Sequence, residues 1–324
     1  MQLTQNVSSS RKKVIVGVDN GYYGTKISTA DKTIYLRSKY EKSNDVLNKQ
    51  DTYLLEYENE DYIVGKYASI SSLEYDKTQD ELYKIVTYAA LSILCNTDEE
   101  IDYYLMGSYP LSIYSHNKDH FADYLRGSSA FDTVLNGKPK MFNIIKAVIF
   151  PQAVCQSYAR LDLFTDQVRG IIDFGSLTVN AVVMDNFNIV PGTAFTEDFG
   201  SIILENEIKK KLDKEYTLNL KEYEIKNIIK HGLKIKGKIV ESAYAIIKST
   251  INEHLSKIKK SIKANGWNIE SLDLFITGGS SLDYSIQLQS IFPQAIMSTD
   301  PVNDGAKGLL VVGNLIYGDE VNGK

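Results

Sequence analysis

The chain has 324 residues, which is enough to bury two cores of ordinary domain size. Hydrophobic residues make up 43% and charged residues 24%, a composition typical of globular proteins that excludes a disordered chain. The net charge of −5 argues against DNA binding through overall charge, and a local basic face is the alternative that it leaves open. No apolar run approaches the roughly 20 residues that cross a bilayer, so we expect no membrane anchor.

The N-terminal residues and the two cysteines indicate the compartment in which the chain resides. Residues 1–13 are polar and end in three basic residues, so we predict a flexible leader and no signal peptide. Cys95 and Cys155 lie in apolar segments without metal-ligand spacing. This usage favours a reduced, cytoplasmic compartment.

The first predicted element is a buried strand that ends in a polar turn. Residues 14–18 are β-branched except for Gly17, which is typical of a strand buried on both faces. Residues 19–21, Asp-Asn-Gly, then force a tight turn. Turn amides form a nest for phosphate oxygens, Lys26 can add a positive charge, and Asp19 can hold a hydrated magnesium ion. An ordinary hairpin with a surface lysine would have the same residues.

The elements that follow complete a first predicted domain, residues 14–169. Residues 41–81 hold eleven acidic residues against four lysines, so we predict a small acidic subdomain over about residues 38–81. Apolar patterning predicts most of the remaining elements, while a closing glycine marks the second helix and Pro151 suits the first turn of the third. These are strands over 32–36, 52–57, 61–64, 101–108 and 143–150, and helices over 81–95, 116–127 and 151–161.

The sequence pattern of the first strand and its polar turn occurs again near residue 170. Two isoleucines lead to Asp173, one spacer residue, Gly175 and a β-branched continuation. Because the two hairpins lie about half a chain apart, we predict two similar domains that grip one polyphosphate between them. Asp173 could instead only stabilise its own turn, since aspartate is common there.

The second predicted domain covers residues 170–324. A helix follows residue 201, and residues 205–263 hold fifteen lysines against eight acidic residues, so we predict a basic subdomain there. A buried strand over residues 274–277 runs into the double-glycine turn of Gly278 and Gly279. The last helix is predicted over about residues 305–317.

In their order and spacing, these motifs resemble those of the actin, sugar-kinase and heat-shock chaperone ATPase superfamily. Val18-Asp19-Asn20-Gly21 followed by Lys26 is similar to the first phosphate loop of actin. Gln152-Ala153-Val154 looks like the start of the actin helix whose glutamine orients the attacking water. Four further segments resemble the plasmid-segregating ParM family: residues 106–111, 230–233, 277–279 and 305–308.

The resemblance implies an α/β actin-like fold with two similar ribonuclease-H-like domains, a nucleotide cleft between them and a small subdomain inserted in each. It implies three catalytic residues, with Asp19 and Asp173 holding Mg²⁺ through water and Gln152 orienting the attacking water. The implied nucleotide-binding residues are Asn20, Gly21, Tyr22, Lys26, Gly175, Ser176, Thr178, Gly200, Lys230, Gly278, Gly279 and Ser280. The alternatives are that Gln152 only caps its helix and that Lys230 is only a solvated lysine.

The ParM resemblance also implies a function. It implies a nucleoside triphosphatase that hydrolyses ATP or GTP with Mg²⁺, polymerises into a helical filament and segregates plasmid DNA. The implied partners are other copies of the chain and a DNA-binding centromere adaptor, with no direct DNA contact and no membrane. A small-molecule kinase of the same superfamily, a chaperone ATPase and a cell-shape filament are the alternatives.

Overall fold

The computed structural model describes residues 11–45, 50–96, 99–128 and 130–323. The chain forms two compact units. Unit 1 consists of Met1–Tyr109, His116–Phe150 and Leu309–Lys324, and unit 2 of Pro110–Ser115 and Pro151–Gly308. These bounds differ from those of the predicted domains, which divided the chain once, near residue 170.

One sheet organises unit 1. Its strands are β1 (Lys12–Asn20), β2 (Gly24–Ser28), β3 (Thr33–Arg37), β4 (Tyr40–Lys42), β5 (Thr52–Tyr57), β6 (Glu60–Gly65), β7 (Glu100–Tyr109), β8 (Ala130–Leu135) and β9 (Lys138–Pro151). In the described part of the chain their order is β3-β2-β1-β7-β9-β8-β5-β6-β4. β1 pairs antiparallel with β2 and parallel with β7, which explains why its apolar run is buried on both faces.

Two helices, α1 (Leu82–Leu94) and α2 (Tyr114–Arg126), interrupt these strands. Both were predicted, α1 from its apolar spacing and α2 from the glycine that closes it. β8 was not predicted, although Phe131, Thr133 and Leu135 alternate with more exposed residues in the pattern of a half-buried strand. β8 pairs with β5, so the strands of the acidic stretch continue the sheet of unit 1.

Unit 2 is built around a second sheet. Its strands are β10 (Val168–Phe174), β11 (Val179–Asp185), β12 (Asn188–Ile189), β13 (Phe195–Glu197), β16 (Leu274–Thr277) and β17 (Ile296–Met297), and β14 (Lys234–Ile235) and β15 (Lys238–Ile239) form a separate small hairpin. The order within the described residues is β12-β11-β10-β16-β17, with β13 paired to β11.

The helices of unit 2 bury the apolar surface of this sheet. They are α3 (Val154–Tyr158), α4 (Leu161–Phe164), α5 (Ser201–Tyr216), α6 (Glu222–His231), α7 (Glu241–Ala264) and α8 (Ser285–Ile291). The predicted stripe of α7, including Ile247, Ile251 and Leu255, joins Ile172 and Phe174 of β10 in one core. No helix within the described ranges is long and apolar enough to cross a membrane.

The prediction of a helix that opens at Pro151 was wrong. Pro151 ends β9, and Ala153 has a φ of +69°, which is incompatible with a right-handed helix. The helix therefore begins at Val154 and ends at Tyr158, and α4 follows as a separate turn. Gln152 consequently lies before α3 and does not belong to its first turn.

The ends of the chain also differ from the prediction. Lys12 and Lys13 of the predicted leader belong to β1, and residues 1–10 lie outside the described residues. The last helix, α9 (Asp304–Asn322), is longer than predicted, and its residues from Leu309 onward group with unit 1. The physical reason is close packing, because a Cβ at Gly313 would lie only 2.5 Å from Ile15 and 2.7 Å from Met106.

Two glycines of α9 allow a matched test of this packing. A Cβ at Gly308 would collide with the carbonyl oxygen of Cys155, whereas one at Gly318 would meet no atom within 4 Å. We expect Gly308→Ala to destabilise the protein by about 2 kcal/mol through overpacking. Gly318→Ala should stabilise it by up to about 1 kcal/mol, since alanine favours a helix interior. Urea unfolding measures both, and equal effects would contradict the packing described here.

Candidate functional site

The first candidate loop joins β1 to β2 in unit 1. The strand register pairs Asp19 with Lys26, and Lys26 Nζ lies 3.1 Å from Asp19 Oδ2. Ser108 of β7 donates a hydrogen bond of 2.8 Å to Asp19 Oδ1. The side chains of the ion pair are only 12% and 14% exposed. The predicted carboxylate and lysine therefore lie side by side at the end of a buried strand.

The carboxyl group of Asp19 is held in its ionised form. Burial alone would raise its pKa, but the positive charges of Lys26 and Lys77 and the hydrogen bonds from Ser108 and Lys26 outweigh that effect. The pKa of Asp19 is therefore lowered from its ordinary value. An ionised carboxylate is the kind of oxygen ligand that Mg²⁺ prefers.

The tip of the first loop rests on buried polar side chains. Asn20 is fully buried, and its Oδ1 accepts hydrogen bonds from Thr25 at 3.1 Å and from Thr87 of α1 at 3.3 Å. Its Nδ2 has no hydrogen-bond partner among the described residues. Ser38 donates a hydrogen bond of 2.7 Å to the carbonyl oxygen of Gly21. The side chain of Asn20 therefore holds the loop from its buried side and is turned away from solvent.

A buried lysine completes this support. Lys77 is 0% exposed, and its Nζ donates a hydrogen bond to the carbonyl oxygen of Asn20. The same Nζ lies 5.3 Å from the ring centroid of Tyr22 and 5.2 Å from that of Tyr83. The Tyr22 ring thus faces the interior of unit 1, which leaves mainly the backbone of Tyr22 for contact with a ligand.

The second candidate loop joins β10 to β11 in unit 2. Asp173 lies near the end of β10, and its Oδ2 accepts a hydrogen bond of 3.0 Å from Gln156 Nε2. The amide of Gly175 donates to the carbonyl oxygen of Thr178 at 3.0 Å and closes the turn over Ser176. The amide of Ser176 donates no hydrogen bond to a described residue, so it is available to an anion.

The N-terminus of α5 carries this second loop. The amide of Gly200 donates to the carbonyl oxygen of Leu177 at 2.9 Å, and the amide of Ser201 donates to that of Gly175 at 3.2 Å. A Cβ at Gly200 would collide with the backbone of Ser176 and Leu177. Because the loop carbonyls are bonded to α5, they are turned away from an approaching anion.

Gln152 lies beside β11 in a polar cluster. Asn180 Nδ2 donates a long hydrogen bond of 3.5 Å to Gln152 Oε1 and lies 3.4 Å from Thr178 Oγ1. Thr196 donates to Asn180 Oδ1 at 2.8 Å, which fixes the orientation of that amide. Gln152 is 7% exposed. Asn180 therefore orients Gln152 and Thr178 together.

The double-glycine turn approaches Asp173 directly. β16 runs parallel to β10, with Thr277 opposite Asp173. Gly278 has a φ of +88°, and a Cβ there would collide with Asp173 Oδ1. A Cβ at Gly279 would have open space, with its nearest neighbour, a methyl group of Val302, at 3.8 Å. Gly278 thus permits a close approach within the protein, whereas Gly279 leaves the outer surface of the turn open.

Hydrogen bonds tie the double-glycine turn to two helix N-termini. Ser280 Oγ donates to Ser201 Oγ of α5 at 2.9 Å, and Thr277 Oγ1 donates to Asp304 Oδ2 of α9 at 2.6 Å. Burial raises the pKa of Asp304 in spite of hydrogen bonds from Ser298 and Thr277. The side chain of Ser280 therefore serves to anchor the turn.

Lys230 lies on the last turn of α6 and is exposed. It lines a cavity of about 760 Å³ together with Glu205, Lys226, Leu282 and Asp283. Lys226 Nζ lies 3.7 Å from Glu205 Oε1 and 3.8 Å from Asp283 Oδ2. Burial raises the pKa of Glu205, although Lys226 acts in the opposite direction. Since Leu282 follows the double-glycine turn, the cavity adjoins that turn.

Each unit, taken by itself, offers groups that fit a phosphate and a hydrated magnesium ion. Unit 1 offers an ionised carboxylate beside Lys26, and unit 2 offers the amide of Ser176, the open surface of Gly279 and the carboxylate of Asp173. Among the described residues, no group of three or more His, Cys, Asp or Glu could bind a metal ion directly. Mg²⁺ usually retains several waters, so single carboxylates suit it.

Sequence reasoning missed four residues of the site: Ser108, Gln156, Asn180 and Lys77. Ser108 and Asn180 are polar residues in apolar strands, which is a signal that could have found them. Gln156 follows Gln152 by four residues. Lys77 has no such signal, because it lies in a charged segment where a lysine normally faces water.

Comparison with known proteins identifies the fold. Residues 17–154 match the family model for the N-terminal domain of actin-like proteins. The structure of an archaeal actin homolog matches with a TM-score of 0.80 at 19% identity, over 93% of this chain and 99% of that chain. The chain has the actin-like fold. The predicted fold class and the resemblance to actin-like proteins are therefore confirmed.

Two further solved structures are similar to this chain. A 15-stranded ParM filament from Clostridium botulinum matches with a TM-score of 0.78 at 19% identity, over 94% of this chain and 99% of that chain. Bacillus thuringiensis ParM with ATP matches with a TM-score of 0.68 at 14% identity, over 94% and 99%. No curated protein sequence matches the chain. At these identities the likeness shows the fold.

The support beneath the first loop yields a pH-dependent prediction at Asp76, which precedes Lys77. Asp76 accepts hydrogen bonds from Thr78, Gln79 and Tyr109. Burial would raise the pKa of Asp76, but these bonds prevail and lower it to about 2. A carboxyl group with a lower pKa in the folded state stabilises the protein at high pH, and this stability is lost as the pH falls through about 4 towards about 2.

We therefore expect Asp76→Asn to be less stable than the wild type at pH 7, with a difference that shrinks below about pH 4. Urea unfolding across this pH range measures the difference. Asp31→Asn, at an exposed residue of the same unit, is the matched control. A difference at Asp76 that is the same at every pH would contradict the hydrogen-bonded carboxylate.

Proposed function

We propose that this actin-like protein hydrolyses ATP or GTP with Mg²⁺, polymerises into filaments in the cytoplasm and segregates plasmid DNA. The observation that carries the proposal is the repeated hairpin, in which a buried strand of each unit ends at a carboxylate: Asp19 in unit 1 and Asp173 in unit 2. Similarity to a ParM filament and to ParM with ATP supports it.

The phosphates of the nucleotide are assigned to the two hairpins. Lys26 would pair with the β- and γ-phosphates, and the amide of Ser176 would contact the phosphate oxygens. The amides of Gly21 and Gly175, expected from the resemblance to bind phosphate, instead donate to carbonyl oxygens of their own loops and hold those loops closed. Asp19 and Asp173 would hold the waters of Mg²⁺. When bound, Mg²⁺ neutralises negative charge on the phosphates.

Hydrolysis needs a water molecule in line with the γ-phosphate. Its oxygen forms a bond to the γ-phosphorus while the bond from that phosphorus to the β–γ bridging oxygen breaks. We assign the orientation of this water to Gln152, because an amide can orient water but is a poor base. Asn180 positions Gln152, since it donates a hydrogen bond to Gln152 Oε1.

The nucleoside is assigned to unit 2. Gly279 has an open outer surface against which the α-phosphate and the nucleoside can lie. The adjoining cavity offers the carboxylate of Glu205 and the amines of Lys226 and Lys230 to a base and a ribose. These groups include donors and an acceptor, so ATP and GTP both remain candidate substrates.

The partners follow from the ParM likeness. The chain would bind other copies of itself in a helical filament and a DNA-binding centromere adaptor. We expect no direct DNA contact, in keeping with the net charge of −5. A small-molecule kinase and a cell-shape filament are the competing functions that the experiment below must separate.

Gln152→Ala separates binding and assembly from hydrolysis. The variant should bind nucleotide through Lys26 and the loops and should polymerise. Phosphate release should be at least about tenfold slower, because positioning of the water contributes much of the catalysis. Parallel sedimentation and phosphate-release assays with ATP and with GTP measure both properties.

Gln167→Ala changes an exposed glutamine of the same unit and is the matched control. A kinase would give a different result, with no polymer in any variant and turnover only after an acceptor is added. If the wild type neither pellets nor releases phosphate with either nucleotide at varied salt and magnesium, the proposed function is wrong. A wild-type polymer that does not retain plasmids in dividing cells would favour the cell-shape role.

The two adjacent glycines provide a second test of the nucleotide site. Gly278→Ala should destabilise the protein by about 1–3 kcal/mol, because φ is positive and the new Cβ collides with Asp173. Gly279→Ala should leave stability within about 0.5 kcal/mol yet weaken nucleotide binding about tenfold, since its methyl group projects from the open surface. Thermal unfolding and titration with Mg-ATP and Mg-GTP measure these effects. Unchanged affinity in Gly279→Ala would remove Gly279 from the site.

A further inference from the structure

Lys77 is an unusual residue for the place it occupies. It lies in the turn before α1 and is 0% exposed, although lysine is almost never fully buried in proteins. Removing an ammonium group from water costs several kcal/mol unless nearby groups compensate for the lost hydration. The surroundings of Lys77 must therefore stabilise a positive charge beneath the first loop.

Three kinds of group supply this stabilisation. The carbonyl oxygen of Asn20 accepts a hydrogen bond from Lys77 Nζ. The rings of Tyr22 and Tyr83 lie 5.3 and 5.2 Å from Nζ, within the range in which an aromatic face attracts a cation. The negative charge of Asp19 attracts the positive charge of Lys77. Asn20 and Tyr22 belong to the first loop, and Asp19 begins that loop.

The backbone of Lys77 is also fixed from its own side. Its amide donates a hydrogen bond of 3.2 Å to Tyr109 Oη, and Tyr109 in turn donates one of 2.8 Å to Asp76 Oδ1. Asp76 additionally accepts hydrogen bonds from the side chains of Thr78 and Gln79. The turn that carries Lys77 is therefore held in a single arrangement, so its ammonium group is presented at a defined point.

The hydrogen bond from Lys77 fixes the direction of a loop carbonyl group, and therefore which loop atoms can face an anion. The carbonyl oxygen of Asn20 is turned towards the interior and cannot face a phosphate. The other side of the same peptide is also held, because the Gly21 amide donates a hydrogen bond of 3.1 Å to the carbonyl oxygen of Asp19. Without Lys77, the Asn20 oxygen would be a buried acceptor lacking this donor, and rotation towards the ligand would place it against negative phosphates.

We propose that Lys77 is a positioning residue that holds the first loop in its phosphate-binding conformation and adds a buried positive charge behind it. This inference rests on the proposed nucleotide binding and deepens it. It predicts an effect confined to the phosphates beyond the first, because Lys26 and this loop are assigned to the β- and γ-phosphates. The contacts to the nucleoside are assigned to unit 2 and should not change.

The test compares triphosphate and monophosphate binding in the full chain. Lys77→Met keeps a side chain of similar shape but removes the charge and the donor. Dissociation constants for Mg-ATP and AMP, and for Mg-GTP and GMP, are measured by calorimetry. We expect the preference for the triphosphate to fall at least about tenfold, equivalent to about 1.4 kcal/mol, with monophosphate affinity changed less than about twofold. A purely structural role would not change the ratio of the two affinities.

Two further variants make the result interpretable. Lys32→Met removes the same charge from an exposed residue in the turn between β2 and β3 of the same unit and should keep the wild-type preference. Lys77→Gln retains a polar donor and serves if the methionine variant fails to fold, with an expected loss of preference of at least about threefold. Circular dichroism and thermal unfolding establish that each variant is folded.

The outcomes distinguish this inference from the function on which it rests. If the wild type binds neither Mg-ATP nor Mg-GTP, the proposed function is wrong, and this inference falls with it. If the wild type binds a triphosphate and a folded Lys77 variant keeps the wild-type preference, only the role of Lys77 is overturned. A selective loss of triphosphate affinity at Lys77, absent at Lys32, supports the role.

Discussion

Burying a carboxylate costs several kcal/mol unless it is paired, and unit 1 is built to meet that constraint at Asp19. The register of β1 and β2 places Lys26 opposite, and β7 brings Ser108 to the second carboxylate oxygen. Lys77 adds a further charge from below. The pairing depends on β1 lying between β2 and β7, so the order of strands and the charge state of the loop are consequences of the same arrangement.

Unit 2 uses the same hairpin with different support. Asp173 is held by the neutral amide of Gln156, and Gly278 allows the neighbouring strand end to approach its carboxylate. The loop carbonyls are bonded to the first amides of α5, where Gly200 allows close packing. The N-terminus of α5 therefore holds the carbonyls of the second loop, as Lys77 holds the carbonyl of Asn20 in the first loop. Both arrangements turn carbonyl oxygens inward and leave the outer face of the loop suited to an anion.

Much of the fold follows from local patterns that tertiary structure did not override. The β5–β6 hairpin agrees closely with its predicted strands because alternating apolar residues flank a short polar turn. α1 and α7 follow from their apolar spacing. Where a local conformation broke the pattern, the prediction failed: the positive φ of Ala153 delays α3, although Pro151 in a strand and Pro151 in a first helical turn look alike in sequence.

The sequence by itself determined the two hairpins, the double-glycine turn and their order, because tight turns require particular residues at particular spacings. Only the tertiary structure decided which side chains support them. Gln156 contacts Asp173, Asn180 donates a hydrogen bond to Gln152, and α9 ends in unit 1. Lys77 is the clearest case, since an acidic, charged segment predicts a solvated lysine. Its burial depends on strands and helices far apart in sequence, and no local pattern encodes contacts of that range.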